Sequence, residues 1–128
     1  MYKPKDYNSL SPYFVVQDPT AFIAFLKAVF DAEELRKYAR EDGSIMHAEL
    51  KIDDSVLMLA SATEQYPPIE QLVHVYVSDV DAVFERAKNA QCAILADPVQ
   101  RPNDPDKRGS FKDIAGNFWS VATQLEKK

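Results

Sequence analysis

The chain is predicted to be an α+β protein built from two copies of a βαβββ unit. Two kinds of period carry this reading: "SIMHAELKI" and "LVHVYVSD" alternate apolar and polar residues as half-buried strands do, while "TAFIAFLKAVF" and "VDAVFERAKNA" place apolar residues at helical spacing. The third observation is an internal match. "VVQDPTAFIAFLKA" lies over "YVSDVDAVFERAKN", with Asp18 on Asp79, Ala21 on Ala82 and Lys27 on Lys88. Further along, Gly43-Ser44 lies over Gly109-Ser110 and "VLMLA" over "FWSVA".

The elements follow in order. "SPYFVVQD" is a short β-rich run ending at Asp18-Pro19-Thr20, where an Asp cap followed by Pro starts a helix. Phe22, Ile23, Leu26, Val29 and Phe30 then form the apolar stripe of an amphipathic helix. "ELRKYARE" is strand or irregular, closed by the turn at Asp42-Gly43. "SIMHAELKI" and "VLMLASA" are strands joined at Asp53-Asp54-Ser55. After a loop containing Pro67-Pro68 the order begins again. "LVHVYVSD" is a strand, and the helix after it packs through Val83, Phe84 and Ala87. "CAILADPVQ" is a strand leading into the loop "RPNDPDK", and "GSFKDI" with "NFWSVATQ" closes the copy as a hairpin. The chain of 128 residues is thus expected to be one domain, residues 1–128, with modules at about 10–63 and 70–124.

Bulk properties exclude several functions. A net charge of −5, with no basic block beyond Lys107-Arg108, disfavours a nucleic-acid surface. The opening "MYKPKDYNSL" lacks the apolar core of a signal peptide, and no later apolar run approaches the roughly 20 residues that span a bilayer. One cysteine, Cys92, cannot build an intrachain disulfide framework and reads as a small buried hydrophobe. The expectation is a cytoplasmic protein with no membrane and no nucleic-acid partner. Glu33-Glu34, Asp53-Asp54 and Asp104 with Asp106 read as solvated acidic clusters without calcium-loop spacing, and Arg108 as an exposed loop residue able to meet an anion. Neither a serine-nucleophile elbow nor a glycine-rich phosphate loop is present.

Strand alternation sorts the remaining side chains by face. A sheet that carries a helix on one side leaves its other side to line a cavity or meet a second sheet. Val73, Val75 and Val77 form the helix-facing row of their strand, which leaves Leu72, His74, Tyr76 and Ser78 opposite. In the strand from Ile45, the apolar row is Met46, Ala48, Leu50 and Ile52, and His47, Glu49 and Lys51 share the other side with Ile45. The internal match equates Tyr13 with His74 and adds Ser11, Tyr13 and Val15 to this face. In the closing hairpin Trp119 and Val121 face the helix, and Phe118, Ser120 and Ala122 the cavity side.

With these residues placed, the doubled order together with "SPYFVVQDP", "KAVFDAEE", "GSIMHAELKIDDSVLMLASA", "VHVYVSDVDAVFERA" and "DIAGNFWSVAT" resembles the vicinal oxygen chelate superfamily of glyoxalases, bleomycin-resistance proteins and extradiol dioxygenases. It is most similar to the PhnB-like, glyoxalase-like branch. The resemblance implies two βαβββ modules forming a cupped, partly open barrel-like sheet with helices outside, commonly in a homodimer. Metal-using members supply His or Glu at four positions, which fall here near Ser11, Met58, Leu72 and Ser120. None is a usual ligand of a divalent catalytic metal, which prefers His or carboxylate groups at about 2.0–2.2 Å. Asp31 and Gln91 stand where relatives often have Gly, which reads as a change at the level of turns.

The leading expectation is therefore a small-molecule-binding protein that uses no metal or other cofactor. Its ligand-binding candidates are Tyr13, His47, Glu49, Met58, His74, Tyr76, Phe111, Phe118 and Ser120. The alternative is a lyase, isomerase or dioxygenase in which His47, Glu49 and His74 form a non-standard metal or acid–base group. A third reading is an interaction module without a small ligand. Fold alone does not choose among them, because function lives in the site.

Overall fold

A computed structural model describes residues 1–125, and these divide into two compact units, Met1–Ile69 and the chain from Glu70 onward. The first unit contains β1 (Tyr13–Val16), α1 (Pro19–Phe30), β2 (Glu33–Ala39), β3 (Ile45–Ile52) and β4 (Ser55–Ser61). Its sheet runs β1-β4-β3-β2, with β1 parallel to β4 and the other pairs antiparallel. The second unit repeats this with β5 (Leu72–Tyr76), α2 (Val80–Asn89), β6 (Ala93–Gln100), β7 (Asp106–Lys112) and β8 (Phe118–Gln124) in the order β5-β8-β7-β6. The doubled βαβββ architecture read from the sequence is present, and the two four-stranded sheets are not closed into a barrel. Among the described residues no helix is long and apolar enough to cross a membrane.

Both helices start as their sequences dictate. The carboxylates of Asp18 and Asp79 accept from the backbone N–H of Ala21 and Ala82, each at 3.1 Å, satisfying a donor that the first turn cannot pair internally. Helix α1 stops at Phe30 because Asp31 turns left-handed at φ +55°, its N–H donating to the Lys27 carbonyl and that of Ala32 to the Leu26 carbonyl. Helix α2 is followed by Gln91 at φ +63°. The two positions expected to differ from relatives only at turns are thus those that need the conformation glycine adopts most readily.

Each helix seals one face of its own sheet. Phe22, Leu26 and Val29 of α1 are buried with Phe14, Leu50 and Leu59 of the first sheet, and Phe84 of α2 meets Phe111 of β7 edge to face with centroids 5.3 Å apart. Gly109 of β7 lies under α2, where a Cβ would stand 2.6 Å from the Phe84 ring and 2.7 Å from the Ala96 carbonyl. The hairpin between β7 and β8 is braced from inside by a buried Asp113, which accepts from the backbone N–H of Ala115 and Asn117 and from Trp119 Nε1 at 2.7 Å. Asn117 in turn accepts from Gln71 N at 2.9 Å, tying the hairpin to the start of β5.

Three expectations are corrected here. Met46, placed in the apolar row, is 50% exposed, whereas Ile45 is buried. The register steps from Tyr38↔His47 to Ala39↔Ile45, so a bulge at Met46 reverses the alternation below it while His47 and Glu49 keep their expected side. Strand β7 begins at Asp106, inside the segment read as loop, because Asp106 pairs with Gln124 of β8. Phe111, counted among the ligand-binding candidates, pairs with Trp119 on the face under α2 and is 0% exposed, so it is a core residue. An aromatic tally without register cannot make that distinction.

Candidate functional site

In the first unit the sheet face away from α1 gathers a polar network among aromatic rings. In-register partners project to one side, so Tyr13, Met58, Glu49 and Arg36 form a row across β1, β4, β3 and β2, and His47 with Tyr38 forms part of the next. His47 bridges the two rows. Its Nε2 lies 2.8 Å from Glu49 Oε2, and its Nδ1 lies 3.0 Å from the Tyr13 hydroxyl. The other carboxylate oxygen, Glu49 Oε1, accepts from Tyr7 Oη at 2.5 Å and stands 3.7 Å from Arg36 Nε. Arg36 also sits over the Tyr7 ring at 5.6 Å. Glu49 is 5% exposed, while Tyr13 and Tyr38 remain 43% and 49% exposed.

The electrostatics of Glu49 follow from these contacts. Burial pushes its carboxyl up, but hydrogen bonds from Tyr7 and His47 and the charges of His47 and Arg36 outweigh burial and hold it below the usual glutamate range. The carboxylate hydrogen bond pushes Tyr7 up, with burial acting in the same direction. The result is an ionised, buried carboxylate that orients His47, whose second nitrogen meets an exposed phenol.

The second unit carries a different arrangement on its corresponding face. His74 Nδ1 and Ser120 Oγ are hydrogen-bonded at 2.9 Å, and the His74 ring meets Tyr76 edge to face at 4.8 Å. Tyr76 Oη donates to Asp106 Oδ2 at 2.6 Å, and the same oxygen accepts from Arg108 Nη2 at 2.9 Å. Arg108 Nε donates to Asp104 Oδ2, also at 2.9 Å. The acidic pair is therefore no solvated cluster: Asp106 is 2% exposed, and Arg108 is a strand residue engaged by two carboxylates rather than an open anion site. Phe118 is half-exposed, with the Lys112 ammonium 4.9 Å from its ring centroid. Cys92 is buried, which pushes its thiol up to about 11 with help from the charge of Asp113. That is the chemistry of an inert core residue.

Of the nine sequence candidates, then, Tyr13, His47, Glu49 and Met58 share one face in the first unit. His74, Tyr76, Phe118 and Ser120 share one in the second, and Phe111 leaves the set. Tyr7 and Arg36 were missed. Tyr7 lies in "MYKPKDYNSL", which has no period to read, and Arg36 follows a register shift between Glu34 and Arg36. Tyr38, two residues beyond Arg36, had a weak signal in the alternation of "RKY".

A family model described as Glyoxalase/Bleomycin resistance protein/Dioxygenase superfamily matches residues 9–121. The chain belongs to this superfamily. An uncharacterized protein of Mycobacterium bovis is 32% identical over 124 residues, covering 88% of this chain and 81% of its own. Among solved structures, TioX from Micromonospora sp. ML1 is similar with a TM-score of 0.78 and 24% identity, over 92% of this chain and 99% of that one. The fosfomycin resistance protein FosX from Listeria monocytogenes, solved with Mn(II) and sulfate, gives a TM-score of 0.70 at 15% identity, over 91% of this chain and 89% of that one. At these identities the structural likeness speaks for the fold.

Metal-using members of the superfamily invite a test of fit. At the four positions read from the resemblance this glyoxalase-superfamily protein offers the hydroxyls of Ser11 and Ser120, the thioether of Met58 and the alkyl side chain of Leu72. Ser120 is hydrogen-bonded to His74, and Leu72 is exposed. This donor set does not fit a divalent catalytic metal. Among the described residues, no group of three or more His, Cys, Asp or Glu side chains is placed to hold a metal ion.

Proposed function

We propose that the chain is a small-molecule-binding protein of the glyoxalase/bleomycin resistance type that binds its ligand without a metal, within the PhnB-like, glyoxalase-like branch. The observation that carries this reading is the first sheet's outer face. It exposes the rings of Tyr13 and Tyr38 beside a half-buried His47 held by the buried Glu49, an apolar and aromatic surface with a few fixed polar groups. The second sheet supports it with Tyr76, Phe118 and the His74–Ser120 pair. Similar structures named as resistance proteins point to drug-sized organic molecules as the ligand class. We place the protein in the cytoplasm and as a homodimer, by analogy with the family.

Thermal unfolding against a panel of small aromatic compounds tests the reading, with and without a chelator. Stabilisation by a panel member, unchanged by the chelator and weakened by Tyr38→Ala, is expected. Stabilisation that needs added Mn(II) or Fe(II) would falsify metal independence.

A further inference from the structure

Tyr13, His47 and Glu49 are joined in sequence by hydrogen bonds, and the chain of contacts has a direction. Glu49 accepts through both oxygens, so when His47 is neutral its one proton lies on Nε2 toward Oε2. Nδ1 is then the bare nitrogen, and the Tyr13 hydroxyl at 3.0 Å donates to it. Tyr13 is 43% exposed, so the outer end of this relay meets whatever occupies the face. We propose that Tyr13 is the proton-exchanging residue of a Glu49–His47–Tyr13 relay, and that the face takes a planar ligand bearing an ionisable hydroxyl, a phenol or an enol. The inference rests on the reading of this face as a small-molecule site.

The chemistry selects the ligand class. As the ligand binds, its O–H bond breaks and its proton forms a new O–H bond on Tyr13, while the Tyr13 proton moves to His47 Nδ1. The electron pair stays on the ligand oxygen. The products are a ligand oxyanion and an imidazolium facing the Glu49 carboxylate, and no oxidant or other reactant is needed. An alkyl alcohol is too weak an acid to give its proton to this pair, and a carboxylic acid has already lost its own at neutral pH. A phenol or enol lies between. Planarity follows from the rings: Tyr38 stacks on His47 at 6.5 Å and 22°, and Tyr13 is tilted beside it at 5.7 Å. Other ionisable groups on this face are Tyr7 from the N-terminal segment, Glu33, Arg36 and Tyr38 from β2, and Lys51 beyond Glu49 on β3. From β4, Met58 and Ala60 bring no charge.

The probe is 4-nitrophenol, whose ionised form absorbs in the visible, with 4-nitroanisole as the partner that has no proton to give. On the full chain, bound nitrophenol should ionise at a pH at least one unit below the free probe, a tenfold shift in its acid constant. Tyr13→Phe should still bind the probe but lose most of that shift, and His47→Gln should do the same. Because Tyr13→Phe leaves Arg36 and Lys51 in place, a shift caused by their charge alone would survive it and overturn the relay. Glu49→Gln, read only if circular dichroism shows it folded, should reduce the shift through the orientation of His47. Bound nitrophenol that ionises like the free probe overturns the inference. Binding of nitroanisole without binding of nitrophenol overturns the ligand class and leaves the small-molecule reading standing, whereas binding of neither removes both.

Discussion

Glu49 shows how one buried charge organises a surface. An isolated carboxylate at this depth would be strongly disfavoured, yet two hydrogen bonds and a nearby guanidinium keep it ionised. A depressed folded pKa contributes stability that is complete above the unfolded glutamate value and is lost as pH falls through the lowered one. Tyr7, raised, contributes below its ordinary value near about 10 and loses that contribution as pH rises through its folded one. Tyr7→Phe should therefore cost about 1.5–3 kcal/mol between these limits, the range for a hydrogen bond to a charged group. Denaturant unfolding of Tyr7→Phe, Glu49→Gln and the double variant checks this, and a coupling energy near zero would show that the contact is not made. The second buried carboxylate gives a sharper contrast. Asp113 accepts from backbone and from Trp119 in the interior of a hairpin, so Asn117→Ala, which strips one donor from it and removes the side-chain acceptor of Gln71 N, is expected to cost about 2–3 kcal/mol.

At the level of elements, the sequence-to-structure agreement was best where one period ran undisturbed. The apolar stripe of α1 and the Asp caps of both helices could be read directly because their signals are local. Strand faces were legible in β5 and β8, and in β3 as far as His47. Beyond that point the bulge at Met46 exchanged the sides of Met46 and Ile45, and such a bulge is fixed by pairing with β2 rather than by the local string. The start of β7 was hidden for a related reason: Asp106 looks like loop chemistry until its partner Tyr76, 30 residues earlier, is brought beside it. Two turn positions yield predictions. Asp31 and Gln91 pay the left-handed penalty of about 1–2 kcal/mol for a residue with a Cβ. Asp31→Gly and Gln91→Gly should each stabilise by up to about 1 kcal/mol after the extra chain entropy of glycine is subtracted, read as a raised unfolding midpoint. Gly109→Ala should do the reverse by about 1–3 kcal/mol, since the new methyl meets the Ala96 carbonyl and the Phe84 ring and the backbone contact cannot yield.

For the molecule as a whole, the repeat was the most legible feature, because two copies at matching offsets constrain each other: Asp18 and Asp79 both cap helices, and Tyr13 and His74 both face away from them. What the repeat does not carry is the site. Equivalent positions hold Tyr13 and His74, Met58 and Ser120, Glu49 and Ser110, so the copies keep one backbone plan while their outer faces have diverged in chemistry. Among the described residues only the first builds a carboxylate–imidazole–phenol chain, and it recruits Tyr7 from outside the repeat to do so. This asymmetry predicts that recognition of a ligand with an ionisable hydroxyl belongs to the face of the first copy. Under saturation at about 100 times its dissociation constant, a ligand that binds only the folded chain adds about 2.7 kcal/mol, enough to move the unfolding midpoint by several degrees. Tyr13→Phe and His47→Gln should each lower that increment by about 1.4 kcal/mol, the tenfold that the relay contributes, for a ligand with an ionisable hydroxyl, while His74→Gln should lower it less, because Ser120 and Tyr76 offer no carboxylate to support the imidazole in the same way. Differential scanning fluorimetry of the three variants with nitrophenol decides it, and equal losses at His47 and His74 would assign the two faces equal weight.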